Sequence, residues 1–151
     1  LTTDAQAVAA QVGPLETARW LTRVPHPYST ENGRDFIARM AEEPLVYAVT
    51  LSEELIGCVS ITDELGYWIG ADWRGRGYAK EAARALVTRY FEGAEEGLLS
   101  GHVLGNGASR QILLGLGFED RALCQTPSAA LGRDVPVQKM HLSRDAWTRL
   151  S

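Results

Sequence analysis

The sequence predicts one α+β domain, a mixed and mostly antiparallel central sheet flanked by helices. Three observations carry that expectation. Apolar, β-branched runs at residues 45–51, 55–61 and 65–69 are separated by short polar links, the pattern of an antiparallel meander. Ala79, Ala82, Ala83, Leu86, Val87, Tyr90 and Phe91 recur at helical spacing, with Lys80, Glu81, Arg84 and Arg89 on the opposite face. A further strand, at residues 98–104, follows that helix, and a strand–helix–strand connection normally makes a parallel pair. A chain of 151 residues suits a single core.

The elements follow in order. Thr3-Asp4-Ala5-Gln6 reads as a capping box opening a helix over residues 4–12, which Gly13-Pro14 ends. Residues 15–21 have room for another helical turn. Pro25-His26-Pro27 is a loop, because two prolines bracket one residue. Ser29 or Thr30 caps the next helix, whose inner face is Phe36, Ile37 and Met40. Ser52-Glu53-Glu54 and Thr62-Asp63-Glu64 link the three strands of the meander. Gly93 and Gly97 end the long helix. A short helix spans residues 108–116, capped by Asn106, with Ile112, Leu113 and Leu116 inward and Gly117 as its left-handed stop. Residues 118–125 and 135–142 form a final hairpin around a loop holding Pro127, Gly132 and Pro136.

Composition narrows the function. The chain is 45% hydrophobic and 23% charged, ordinary for a globular protein, with no apolar run near the roughly 20 residues that cross a bilayer. The first eleven residues lack the pattern of a signal peptide, so a cytoplasmic location and no membrane partner are expected. A formal net charge of −4 argues against nucleic acid as a partner. Cys58 and Cys124 are far apart and outside any CxxC pair, and His26, His102 and His141 have no metal-ligand spacing. Free thiols and no metal are expected. The acidic pairs, Asp63-Glu64 among them, read as solvated turns, or as a rim attracting a cationic substrate.

The most informative stretch is Trp73-Arg74-Gly75-Arg76-Gly77-Tyr78-Ala79, just before the long helix. Unpaired N–H groups at a helix start, the helix dipole and two guanidiniums suit a pyrophosphate. Gly75 and Gly77 let the backbone approach a ligand closely. Two well-known phosphate loops fit poorly. No GxxxxGK[ST] string exists, and the GxGxxG fingerprint fails at Lys80 and lacks a second nucleotide-binding half. The pattern Arg/Gln-x-x-Gly-x-Gly/Ala is met by Arg74, Gly77 and Ala79.

At these residues the chain resembles the GNAT N-acetyltransferases, in wording closest to the RimJ/RimL-type branch. Glu64-Leu65-Gly66-Tyr67-Trp68-Ile69, the turn from Trp73 to Ala79, and Glu81-Ala82-Ala83-Arg84-Ala85-Leu86 are similar to that family's motif A. Asn106-Gly107-Ala108-Ser109-Arg110 with Leu116-Gly117-Phe118 resembles its second signature, although Gly105 stands where an acid is usual. Arg19-Trp20-Leu21 and Pro25-His26-Pro27-Tyr28 resemble the branch's N-terminal region. The family opens with a strand ending in Arg-Pro. Only Leu1-Thr2 precedes Thr3 here, so that strand is expected to be missing or cut short, leaving a sheet edge exposed.

The resemblance implies acetyl-CoA as cosubstrate, held where the strands at 65–69 and 98–104 splay apart. The pantetheine would pair with backbone near Trp68 and Ile69 and bond Asn106. The pyrophosphate would sit on N–H groups of Arg74, Gly75, Arg76, Gly77, Tyr78 and Ala79, with charge from Arg74, Arg76 and Lys80. Acetyl transfer to a primary amine needs the amine deprotonated, donors for the developing oxyanion, and a departing thiolate. Glu64 matches the branch's acid before Leu-Gly-Tyr-Trp and is the expected base, through water. Ser109 is the expected partner of the leaving sulfur, and a backbone N–H near Ile69 would serve the oxyanion. Tyr67, Tyr28 and His26 are the expected acceptor-side residues. Neither cysteine lies in these motifs, so direct transfer in a ternary complex is expected rather than a covalent enzyme intermediate. The acceptor would be a protein N-terminus or a small amine. Two other readings stay open, a non-catalytic acyl-CoA-binding module and a nucleotide-binding domain, and the oligomeric state is open, a homodimer included.

Overall fold

The computed structural model describes residues 2–150, with only the backbone at residues 2 and 3. Among the described residues, six α-helices and six strands follow in the order α1 (Thr2–Val12), α2 (Leu15–Ala18), α3 (Thr30–Met40), β1 (Val46–Leu51), β2 (Glu54–Ile61), β3 (Leu65–Ile69), α4 (Tyr78–Gly93), β4 (Leu98–Val103), α5 (Gly107–Leu116), β5 (Glu119–Ser128), β6 (Arg133–Leu142) and α6 (Arg144–Leu150), with a single 3-10 turn, Ala71–Trp73, between β3 and α4. The Thr3 side chain, expected as the first cap, lies outside the described residues. None of the described helices is long and apolar enough to cross a membrane.

The strands form two antiparallel sheets, one in the order β1-β2-β3 and the other in the order β4-β6-β5. The predicted meander is the first of these. No ladder joins β3 to β4, and the seam between them is bridged instead by Ser100, whose buried hydroxyl donates to Leu65 O at 2.8 Å. The expected splayed pair is therefore the junction between the two sheets. No strand precedes α1 among the described residues, and β1 is the edge of its sheet.

One core spans both sheets. Val59, Ile61 and Leu65 of the first sheet meet Ala83, Leu86, Val87 and Phe91 of α4, and Leu98, Met140 and Leu142 of the second sheet close the other side. Each of the larger side chains, Ala83 apart, contributes about 1.5–3 kcal/mol on full burial, so α4 is held firmly against the seam. That packing fixes its N-terminus beside the end of β3. On the other side α1 and α3 cross closely. A Cβ on Gly33 would stand 2.5 Å from Ala5 O, so only glycine fits there.

Caps match the sequence reading at several ends. Ser29 forms a capping box with Asn32, Asn106 caps α5 by accepting from Ser109 N–H, and Gly117 takes a left-handed φ of 99° at the α5 terminus. Phe118 N–H then donates to Leu113 O at 3.0 Å. Two details differ. Pro127 lies inside β5, not in the loop, because β5 runs on to Ser128, and Pro136 lies inside β6, within the expected strand over 135–142. Pro127 is tolerated on an outer strand, and Pro136 sits just past the last β4 pairing, Val103 with Val137. The closing helix α6 was not expected. Ser143 caps it, its hydroxyl accepting from Ala146 N–H at 3.0 Å.

Candidate active site

The turn between β3 and α4 takes its shape from two glycines. Gly75 and Gly77 have φ values of 78° and 85°, and a Cβ at either would meet nothing within 4 Å. Glycine therefore serves the left-handed backbone, while the space outside the turn stays open. Gly77 is the N-cap of α4 and offers no side-chain cap. The first helical bond runs from Glu81 N–H to Gly77 O at 3.0 Å, so the N–H groups of Tyr78, Ala79 and Lys80 have no backbone partner among the described residues. They open beside a cleft of about 500 Å³ whose wall includes Arg74, Gly75, Gly77, Tyr78, Ala79 and Lys80. Open space, orphan donors and a helix dipole together fit a diphosphate.

The three cations divide. Arg74 turns back onto the chain, donating from Nε to Ile69 O at 2.9 Å and from Nη2 to Thr17 Oγ1 at 2.5 Å. It braces the turn against β3 and α2 while still lining the cleft. Lys80 lies on the cleft wall, whereas Arg76 is exposed and is not among the lining residues.

The backbone of β3 shows which groups reach the seam. Gly70 N–H donates to Ile56 O, and antiparallel pairing alternates, so Gly66, Trp68 and Gly70 direct their main chain toward β2. Leu65, Tyr67 and Ile69 direct theirs toward β4. The bonds from Ser100 to Leu65 O and from Arg74 to Ile69 O agree with that alternation. This corrects the expectation for Trp68. Its backbone pairs with Cys58, although the residue still lines the cleft. The seam-facing groups that those two bonds leave over are the N–H and C=O of Tyr67 and the N–H of Leu65 and Ile69.

A second cleft, of about 290 Å³, opens on the other side of the seam. The two clefts share Trp20, Leu21, Tyr67, Trp68, Asn106 and Ser109. At that junction the Tyr67 hydroxyl and Ser109 Oγ are 2.8 Å apart, and Tyr67 OH also lies 3.3 Å from Ser109 O. Asn106 Oδ1 accepts from Ser109 N–H at 3.3 Å. Three residues named from sequence are thus brought together. Burial pushes the Tyr67 phenol up to about 12, with the Ser109 hydrogen bond opposing the shift, so Tyr67 is a proton donor at neutral pH.

Glu64 and Asp63 stand on the wall of the second cleft, each beside a cation. Lys139 Nζ is 3.1 Å from Glu64 Oε2, and Arg23 Nη2 is 3.7 Å from Asp63 Oδ2. Asp63 is held below the usual carboxylate range, chiefly by the Thr62 hydroxyl. Lys139 escaped the sequence reading because it comes from β6, 75 residues away. So did His102, a buried residue of β4 on the cleft wall. Its Nδ1 lies 3.2 Å from Val103 O and its Nε2 3.4 Å from Arg110 Nη1, so one nitrogen donates and the other accepts. Arg110 in turn grips Asp120 with two bonds, of 2.8 and 2.9 Å.

His26 and Tyr28 do not join the site. His26 Nδ1 donates to Gly13 O at 2.8 Å, and Tyr28 packs beside Gly13, so neither lines a cleft. The Pro25–Pro27 loop is tied to the end of α1 by the His26 bond. Cys58 does line the second cleft, but burial raises its thiol to about 11, which leaves it a poor nucleophile. Among the described residues no group of three or more His, Cys, Asp or Glu is placed to hold a metal.

The family model described as an acetyltransferase (GNAT) domain matches residues 1–119. The chain belongs to the GNAT acetyltransferase family. No curated protein is significantly similar to it. Solved structures share its GNAT fold at low identity. An acetyltransferase from Bacillus anthracis aligns with a TM-score of 0.81 at 15% identity, covering 96% of this chain and 92% of that one. A ribosomal-protein-alanine N-acetyltransferase from Brucella melitensis aligns at 0.75 and 17%, covering 93% and 94%. A spermidine N-acetyltransferase from Vibrio cholerae, solved with CoA and spermine, aligns at 0.77 and 14%, covering 97% and 93%.

Proposed function

We propose that this GNAT domain is an acetyl-CoA-dependent N-acetyltransferase of the RimJ/RimL type, acting by direct transfer to a primary amine. The observation that carries the reading is the meeting of two clefts at Tyr67 and Ser109, one beginning at a diphosphate-shaped turn and the other rimmed by carboxylates. Acetyl-CoA would supply the activated acetyl thioester. The N–H groups of Tyr78, Ala79 and Lys80, with the charge of Lys80, would hold its phosphates. The Tyr67 main-chain groups and Asn106 would hold its pantetheine arm.

The chain's own residues then divide the proton work. An ammonium has no lone pair, so Glu64 would take a proton from the acceptor amine, directly or through water. The Ile69 N–H would donate to the acyl oxygen, where charge builds up during the reaction. Ser109 and Tyr67 would donate a proton to the departing sulfur, a modest aid because thiols already leave readily. The poor nucleophilicity of Cys58 favours a ternary complex over a covalent relay.

One observation favours a non-catalytic acyl-CoA-binding module instead. Lys139 occupies Glu64, the carboxylate that would act as base. Thiol release from acetyl-CoA over a panel of amines separates the two readings. The transferase releases thiol, and Glu64→Gln lowers kcat by about 100-fold or more. Tight CoA binding without thiol release on any amine would establish the module.

A further inference from the structure

Resting on the transferase reading, the charges of the second cleft identify the class of acceptor. We propose that the acceptor is a zwitterion, an amine whose frame also carries a carboxylate or comparable anion. The cleft offers Asp63 and Glu64 against Arg23 and Lys139. Each acid already faces a cation, at 3.7 and 3.1 Å. The acidic rim that the sequence suggested for a cationic substrate is therefore neutralised in the fold.

The two pairs differ in weight. Arg23 and Asp63 are 81% and 71% exposed, so water screens them and their attraction is small. Lys139 and Glu64 are each 34% exposed, and partial burial strengthens their coupling. An ammonium arriving at Glu64 competes with Lys139 for the carboxylate. A purely cationic acceptor leaves the Lys139 ammonium short of a partner and adds a like charge beside it. An acceptor bearing an anion replaces the lost partner, and every charge in the cleft stays matched. Between the charged groups, Trp20, Leu21, Val24, Phe36 and Val137 offer an apolar wall for the carbon frame.

The test measures thiol release from acetyl-CoA with phenylalanine, phenylalanine amide and spermidine as acceptors, alongside calorimetric titration of CoA. The expected result is a kcat/KM for the free acid about tenfold or more above the amide and spermidine, carried mainly by KM, the size of one charge-assisted hydrogen bond. Lys139→Gln should bring the acid-to-amide ratio toward one, and Lys139→Arg should restore it. Should Lys139→Gln not fold, the ratio in the unmodified chain decides alone. Turnover that favours the amide or spermidine would overturn this inference and leave the transferase standing. No turnover on any amine, with or without CoA binding, would overturn both.

Discussion

Replacing Tyr67 by Phe removes one oxygen from the point where the clefts meet. The ring stays, so packing against the core is kept. What is lost is the 2.8 Å contact with Ser109 Oγ, with Ser109 O also in reach. A single such hydrogen bond is worth about 1 kcal/mol net, and water entering the open cleft can serve Ser109 instead. Stability at pH 7 should therefore fall by about 1 kcal/mol, or roughly 2–4 °C in Tm. The pH dependence sharpens the test. The phenol's folded value, about 12, lies above its ordinary 10.0. Its contribution is thus complete below pH 10 and is lost as pH rises toward 12, on the order of 3 kcal/mol over the full interval. The Phe variant has no such group, so its deficit should shrink and then reverse between pH 10 and 12. Denaturant melts of both proteins from pH 7 to 11.5 measure this, and ultraviolet difference spectra should show one late-titrating tyrosine missing from the variant. Turnover should fall about tenfold, the share of one hydrogen bond to the leaving group. A deficit that is constant with pH, or unchanged turnover, would refute the assigned role of this hydroxyl.

Other consequences are simpler to check. Cys58, with its thiol raised to about 11, should resist a thiol reagent at pH 8, while the partly exposed Cys124 reacts first; mass spectrometry of labelled peptides would reveal the reverse order. Ser143→Ala should cost about 1 kcal/mol by uncapping α6, read from denaturant melts. The β1–β2 turn holds Ser52 and Glu53 at φ of 50° and 70°. Glu53→Gly should relieve a left-handed non-glycine residue and raise stability by up to about 1 kcal/mol.

Local chemistry accounts for what the sequence revealed. The 3.6-residue pattern of α4, the alternation of the meander and the caps Ser29, Asn106 and Gly117 all lie within a few residues of the feature they set. The turn at Gly75 and Gly77 was legible for the same reason, since positive φ is a backbone demand written at one position. Tyr67, Ser109 and Asn106 fall in two separate motifs, and the packing of α4 and α5 across the seam brings them together. What stayed hidden depends on long-range register. Lys139 reaches Glu64 only because β6 pairs with β4, which lies against β3, and no local pattern encodes that. The Trp68 backbone points the other way because a strand alternates its two edges, and one residue of phase decides which group faces the seam. His26 and Tyr28 sit in a motif-like stretch, yet the bond from His26 to Gly13 ties their loop to α1.

The proposed function rests on the glycine turn before α4 holding a diphosphate. Calorimetric titration of CoA and of dephosphorylated pantetheine into the unmodified chain and into Gly77→Ala tests it most directly. CoA should bind much more tightly than pantetheine and lose about tenfold or more with the alanine, at a stability cost of about 1 kcal/mol for its positive φ. Equal affinity for CoA and pantetheine, or CoA binding untouched by Gly77→Ala, would contradict it.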